Sequence, residues 1–263
     1  MAIRIDRDGW YLEAERSGTG DEVILLSNSL GADRTMWWPQ RALLESRFTV
    51  LSYDTRGHGG SDTPPGPYSF DDLVADAVAV LDHFGVTKAA YMGLSLGGMT
   101  GLGLALAHPD RLTRLICADA RAEASEPFVK SWDDRLGTLQ SRGIEGVWLE
   151  TVGRWFTEKW RADNPEDLAR MRAAFLRTTA DGYAGCAAAL KRLDYLRSLG
   201  GMSVPVLYVC GDVDFGAPPD VMRQMAAVTP GAGYALVEDA AHLANINNPK
   251  GFNAAISSFL GLV

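Results

Sequence analysis

A serine does acyl-transfer chemistry at neutral pH only beside a base, and that base needs an acid to orient it. The serine of this chain best placed for such work is Ser95, in the run Ala89-Ala90-Tyr91-Met92-Gly93-Leu94-Ser95-Leu96-Gly97-Gly98. The run reads as a short apolar strand, a Gly-x-Ser-x-Gly turn and a helix over about 99–107. A serine on so sharp a turn stands clear of its own backbone. Gly93 and Gly97 suit it because a β-carbon there would meet the neighbouring strand or helix. The turn also aims helix N-terminal N–H groups at the place where negative charge develops during acyl transfer.

The chain has four histidines, so the search for a base is short. His83 falls inside a helical pattern, and His108 ends one before Pro109. His58 lies in Asp54-Thr55-Arg56-Gly57-His58-Gly59, a loop after a strand. His242, in Glu238-Asp239-Ala240-Ala241-His242-Leu243-Ala244-Asn245, follows a late strand, where a base of this architecture sits. His242 is therefore the candidate base, and the other three read as surface or turn residues. The acid should come between serine and base in chain order. Asp214, in Gly211-Asp212-Val213-Asp214-Phe215-Gly216, is favoured because it is far enough round the loop to turn back. Asp212 reads as a turn former. Asp119, at the end of the strand over 112–118, is the alternative acid. The oxyanion needs two backbone donors: Leu96, directly after the nucleophile, and Leu30, in the loop Ser27-Asn28-Ser29-Leu30-Gly31-Ala32.

The elements that must hold these residues alternate along the chain. Strands are expected over 22–27, 48–53, 112–118, 204–210 and 233–237, besides a first strand over 1–8 and the one before Ser95. Helices are expected over 38–45, 70–84 and 251–260. In 70–84, Leu73, Val74, Ala77, Val80 and Leu81 fall at helical spacing, Asp71 and Asp72 suit the first turn, and Gly85 suits the end. Such alternation means an α/β fold, a mainly parallel sheet covered by helices on both faces. It breaks from 121 to 198, where helical stretches such as 165–177 and 183–196 replace strands. Four of the seven tryptophans, Trp132, Trp148, Trp155 and Trp160, fall there. The division expected is a core of 1–120 and 199–263 with a helical lid of 121–198 over the strand ends. A helical layer that only extends the core would show the same tryptophans.

The 263 residues suit one large domain. The net charge is −8, and no basic cluster is long enough for nucleic acid. An anionic substrate would need a local cationic group to overcome that field. No apolar run approaches the ~20 residues of a spanning helix, and the charged, alternating N-terminus does not read as a signal peptide. Cys117, Cys186 and Cys210 lie far apart with no metal-type spacing, which points to buried thiols and a reducing, cytoplasmic setting.

With these pieces assembled, the chain resembles the α/β-hydrolase superfamily over nearly its whole length, and within it the 3-oxoadipate enol-lactone hydrolases of aromatic catabolism. The segments that carry the resemblance are Leu26-Ser27-Asn28-Ser29-Leu30-Gly31-Ala32-Asp33, Met36-Trp37-Trp38-Pro39-Gln40, Tyr53-Asp54-Thr55-Arg56-Gly57-His58-Gly59, Gly93-Leu94-Ser95-Leu96-Gly97-Gly98, Arg154-Trp155-Phe156-Thr157 and His242-Leu243-Ala244-Asn245-Ile246. Asn28-Ser29 is the most specific, since most of the superfamily has His-Gly there. The resemblance implies Ser95, Asp214 and His242 as a triad, Leu30 and Leu96 as oxyanion donors, and Trp155 at the substrate pocket. Asp119, Arg121 and the loop Phe215-Gly216-Ala217-Pro218-Pro219 depart from the family pattern at strand ends expected to face the pocket, which fits a different lactone or ester.

The chemistry expected is a two-step acyl transfer without metal or cofactor, on a small-molecule lactone or ester. A substrate carboxylate would be met by an arginine, whose fork of N–H donors fits it; Arg34, Arg121 and Arg154 are the candidates. A general carboxylesterase or perhydrolase would use the same triad with another pocket, and a small-molecule receptor on the same scaffold would keep its ligand. Dehalogenase chemistry would need an aspartate where Ser95 stands.

Overall fold

Runs of β-branched and large apolar residues pair into an eight-stranded sheet. The structure is a computed structural model and describes residues 2–262. Its strands are β1 Ile3–Asp6, β2 Tyr11–Ser17, β3 Glu22–Ser27, β4 Phe48–Tyr53, β5 Ala89–Leu94, β6 Leu112–Ala118, β7 Val206–Gly211 and β8 Gly233–Val237. They lie in the order β1-β2-β4-β3-β5-β6-β7-β8. Only β2 runs against its neighbours; every other pairing is parallel. All six residues of β5 and of β7 are buried, as parallel strands covered on both faces must be.

The helices are α1 Arg41–Glu45, α2 Phe70–His83, α3 Leu96–Ala107, α4 Glu126–Trp155, α5 Glu158–Asp163, α6 Pro165–Phe175, α7 Ala180–Leu190, α8 Pro219–Val228, α9 Ala244–Asn247 and α10 Pro249–Leu260. Helix α2 starts on a reciprocal cap in which Ser69 Oγ accepts from Asp72 N–H and the Asp72 carboxylate accepts from Ser69 N–H. Helices α4 to α7 lie between β6 and β7. Helix α4 is broken at Gly143, which sits at φ 65° and ψ −171°.

Several expectations change in detail. The first strand becomes a hairpin of β1 and β2, because Asp8 and Gly9 both take positive φ and reverse the chain; Met1 lies outside the described residues. The helix expected over 38–45 is only α1, preceded by a 3-10 turn over Arg34–Trp37. Strand β7 begins at Val206, past Pro205, which has no N–H for the ladder. Cys117, Cys186 and Cys210 are buried and unpaired. Among the described residues no helix is long and apolar enough to cross a membrane.

Strand order reverses at β3: the chain steps outward to β4, then returns to pair β5 on the other side. A crevice opens at such a reversal beyond the strands' C-terminal ends. Ser27 ends β3 and Leu94 ends β5, so the Asn28 loop and the Ser95 turn face each other across it.

Candidate active site

Helix α3 begins immediately after Ser95, three residues earlier than its apolar pattern indicates. Ser95 therefore sits alone between strand and helix at φ 56° and ψ −115°. A side chain at that conformation costs on the order of 1–3 kcal/mol and persists only where its surroundings over-determine it. Here they do. Ser95 N–H donates to Ala118 O at 2.8 Å, and Ser95 O accepts from Met99 N–H at 2.9 Å. A β-carbon on Gly93 would collide with the Gly97 carbonyl, and one on Gly97 with the Ser27 carbonyl. Strand, turn and helix are thus pressed backbone to backbone, and Ser95 Oγ is left at the floor of the crevice.

Ser95 Oγ lies 2.9 Å from His242 Nε2, and His242 Nδ1 lies 2.8 Å from Asp214 Oδ2. Asp214 is buried, and its other oxygen accepts from Gly216 N–H at 2.6 Å. His242 is carried on the loop after β8. Its N–H donates to Arg154 O at 3.3 Å, and Leu243 N–H donates to Trp155 O at 3.2 Å. Asn247 Oδ1 accepts from both Ala241 N–H and Thr157 N–H, so this side chain adds to the main-chain bonds that tie the end of α4 to the histidine loop.

Asp119, the alternative acid, does not reach His242. It is fully buried, with Oδ1 accepting from Gly211 N–H at 2.8 Å and Oδ2 from Ala244 N–H at 3.4 Å. It straps the end of β7 to the start of α9. Burial, reinforced by the nearby Asp214 charge, pushes the Asp119 carboxyl well above the usual carboxylate range.

The loop after β3 is held by two buried side chains. Asn28 Nδ2 donates to Ser29 O at 3.0 Å and Ala32 O at 2.7 Å, while its Oδ1 accepts from Thr55 N–H and Oγ–H. His58 accepts from Gly31 N–H at Nε2, 2.9 Å, so its Nδ1 carries the proton and donates to Arg56 O at 3.0 Å. Burial pushes the His58 pKa down to about 4. His58 is thus a neutral brace rather than a turn residue at the surface. Ser29 N–H goes to Met36 Sδ and Ala32 N–H to Ser29 O. Among the described residues Leu30 N–H has no partner, and Leu96 N–H is one of the orphan donors in the first turn of α3.

A cavity lies over these atoms, lined by Ser95, His242, Leu30 and Met99 below and by side chains of α4 and α7 above. Trp155 lines it and also packs edge-on to Phe175, centroids 5.3 Å apart, so it is both pocket wall and packing. Arg154 lines it as well. Arg34 does not. It is locked on the far side of the Asn28 loop, paired with Asp54 and with Glu13 at 2.8 Å, and it lines a separate cavity; three surrounding carboxylates hold it there. Arg121 donates its Nε–H to Gly216 O at 2.6 Å and borders an adjoining outer cavity. It does not pair with Asp119.

Sequence reasoning missed Arg135, which lines the inner cavity with Phe128, Trp132 and Tyr183. The signal was there: Phe128, Trp132 and Arg135 recur at i, i+4 and i+7, one helical face. The Arg135 guanidinium lies 4.3 Å from the Trp132 ring centroid, and burial pushes its pKa down. Among the described residues neither Arg135 nor Arg154 has a carboxylate within 4.0 Å. Such a chamber can bring a carbonyl to a serine, shelter it from water and meet an anionic group above it.

Comparisons with known proteins agree with this fold. A family model described as alpha/beta hydrolase fold matches residues 22–249. The chain is 33% identical over 240 residues to 3-oxoadipate enol-lactonase 2 of Acinetobacter baylyi, covering 90% of this chain and 88% of that one. It is 32% identical to a Caulobacter segnis protein named for carbamate hydrolysis, covering 92% of each. The crystal structure of the enol-lactonase from Burkholderia xenovorans LB400 superposes with a TM-score of 0.94 at 34% identity, over 98% of this chain and 100% of that one.

Proposed function

The chain belongs to the α/β-hydrolase fold family, and we propose that it is a serine hydrolase that opens an enol-lactone ring of the 3-oxoadipate type by acyl-enzyme chemistry, in aromatic catabolism. The observation that carries the reading is the unbroken series from Ser95 Oγ through both His242 nitrogens to Asp214, beside two unclaimed backbone N–H groups.

On this reading His242 Nε2 takes the Ser95 proton as Oγ attacks the lactone carbonyl carbon. The oxyanion forms between Leu30 N–H and Leu96 N–H, already aimed and already free of other partners, so little reorganisation opposes it. The ring C–O bond then breaks, the enol oxygen receives the proton from His242, and the enol tautomerises to a ketone. Water gives its proton to His242 as it attacks the acyl-enzyme, the C–O bond to Ser95 breaks, and Oγ recovers the proton. Asp214 holds the imidazole with Nδ1 protonated and stabilises its cation. Arg135 and Arg154 meet the substrate carboxylate, which gives the acidic chain the local positive field such a ligand needs. The helices of 121–198 act as a lid on a core of 1–120 and 199–263.

A general carboxylesterase with the same triad is the second reading, favoured by the aromatic wall of Phe128, Trp132 and Trp155. Turnover of 3-oxoadipate enol-lactone beside a short-chain nitrophenyl ester separates the two. A lactone kcat/KM of ~10⁶ M⁻¹s⁻¹ or more with poor ester turnover supports the lactonase. Ester turnover without lactone turnover discards it and keeps the triad.

A further inference from the structure

Beyond the inner chamber lies a larger cavity, open to solvent, and the two share Phe128, Arg135, Arg154 and Gly216 as a common wall. The polar side chains that line the outer cavity are those of Arg121, Arg135, Arg154, Ser125 and Ser131; among the described residues no carboxylate lines it. Arg121 lies across it, stacked 5.0 Å from the Phe128 ring centroid. Its Nε–H is spent on Gly216 O, and among the described residues its terminal nitrogens have no hydrogen-bond partner. Asp214, Asp220 and Glu123 are near enough to favour its charge, yet none comes within 4.0 Å, and burial outweighs them and lowers its pKa. Three guanidinium groups face one space in a protein of net charge −8, and partly buried cations without an acidic partner favour an anionic ligand. One carboxylate bridging Arg135 and Arg154 would still leave Arg121 unmatched.

We propose that the outer cavity is a second carboxylate subsite, built on Arg121, and that the substrate is a lactone or ester with an ionised group beyond the one met by Arg135 and Arg154. The inference rests on the reading of the inner chamber as the acyl-transfer site. The substrate class it names is a dianionic lactone, opened to a tricarboxylate, or a dianionic ester, split into an acid and an alcohol that together carry three carboxylates.

The test is calorimetric titration of the whole protein with glutarate and with propane-1,2,3-tricarboxylate, which is glutarate carrying one more carboxylate. It needs no turnover, so absence of ester hydrolysis would count against the acyl-transfer reading alone. The expected result is at least ~10-fold tighter binding of the tricarboxylate, a gap of about 1.4 kcal/mol. Arg121→Gln should close the gap. Arg121→Lys, which keeps the charge but loses the Nε contact to Gly216, should keep most of it. Equal binding of the two acids by the unaltered protein, or a gap that survives Arg121→Gln, overturns the proposal.

Discussion

Arg56 and Arg135 are both withdrawn from water, and the two halves of the molecule treat them in opposite ways. Arg56, beside the sheet, gives Nε and Nη2 to the buried Asp76 at 2.7 and 2.8 Å, with the Trp10 and Tyr68 rings around it. Arg135, in the inserted helices, rests on Trp132 beside Arg154 and has no carboxylate partner among the described residues. Burial alone would lower both pKa values. Asp76 and Asp72 together offset it at Arg56, whose pKa is raised, while that of Arg135 stays lowered. The sheet half closes its charges on itself and so fixes a shape. The inserted half leaves charge open toward a cavity and so leaves room for a ligand to complete it.

That contrast can be broken at four points. On the proposed reading the chemistry belongs to the sheet half, so Ser95→Ala should cut turnover by ~10⁴-fold or more with the far-ultraviolet spectrum and melting temperature nearly unchanged; near-normal activity would sink the triad. Within the same half the two buried aspartates should separate. Asp214→Asn should cost on the order of 10⁴ in kcat. Asp119→Asn, which touches no reacting group, should cost far less, and an equal loss in both would return the acid role to Asp119.

The two arginines supply the direct contrast. Arg56→Met leaves Asp76 buried and short of its main partner, and should lower unfolding free energy by about 3–5 kcal/mol. Arg135→Met should leave stability level or higher and instead raise KM for anionic substrates, with neutral esters little affected. Urea melts and steady-state kinetics on both variants decide it; a stability loss at Arg135 equal to that at Arg56 would erase the distinction.

The smallest effect is a pH dependence at His58. The unfolded imidazole takes a proton near 6.5, the folded one only near about 4. Its folded pKa is depressed, so this contribution to stability is complete above pH 6.5 and is lost as pH falls toward 4, by about 3 kcal/mol. Asp54, raised by burial to about 6, has the opposite sign over much of that window, so the wild-type profile masks the effect. The stability difference between wild type and His58→Gln, melted from pH 7 to 4, should show it. A difference that stays constant with pH would mean that His58 is not buried neutral.

The Ser95 turn was legible because its requirements are local. Gly93 and Gly97 must lack side chains and an apolar strand must precede, so spacing alone pointed to it. That His242 would be the histidine beside Ser95 was legible by elimination, four histidines being few enough to test one by one. Asp214 and Asp119 could not be separated from sequence without a preference, because both end strands at the same edge of the crevice. The second strand of the β1–β2 hairpin was missed because its reversal, at Asp8-Gly9, falls where the one alternating run over 1–8 ends.

What the sequence determined by itself follows from short-range physics: hydrophobic period, turn chemistry and the order of strand and helix, which together require a parallel sheet with a tight serine turn at its switch point. What only the tertiary structure decided is which charges meet. Arg34 and Arg135 look alike in the sequence. Long-range packing sets the first among Glu13, Glu15 and Asp54, whereas the second keeps Trp132 and Phe128 from its own helix face and meets Tyr183 and Arg154, far apart along the chain, only in the fold. The charge state and reach of a guanidinium depend on those neighbours, and no local pattern carries them.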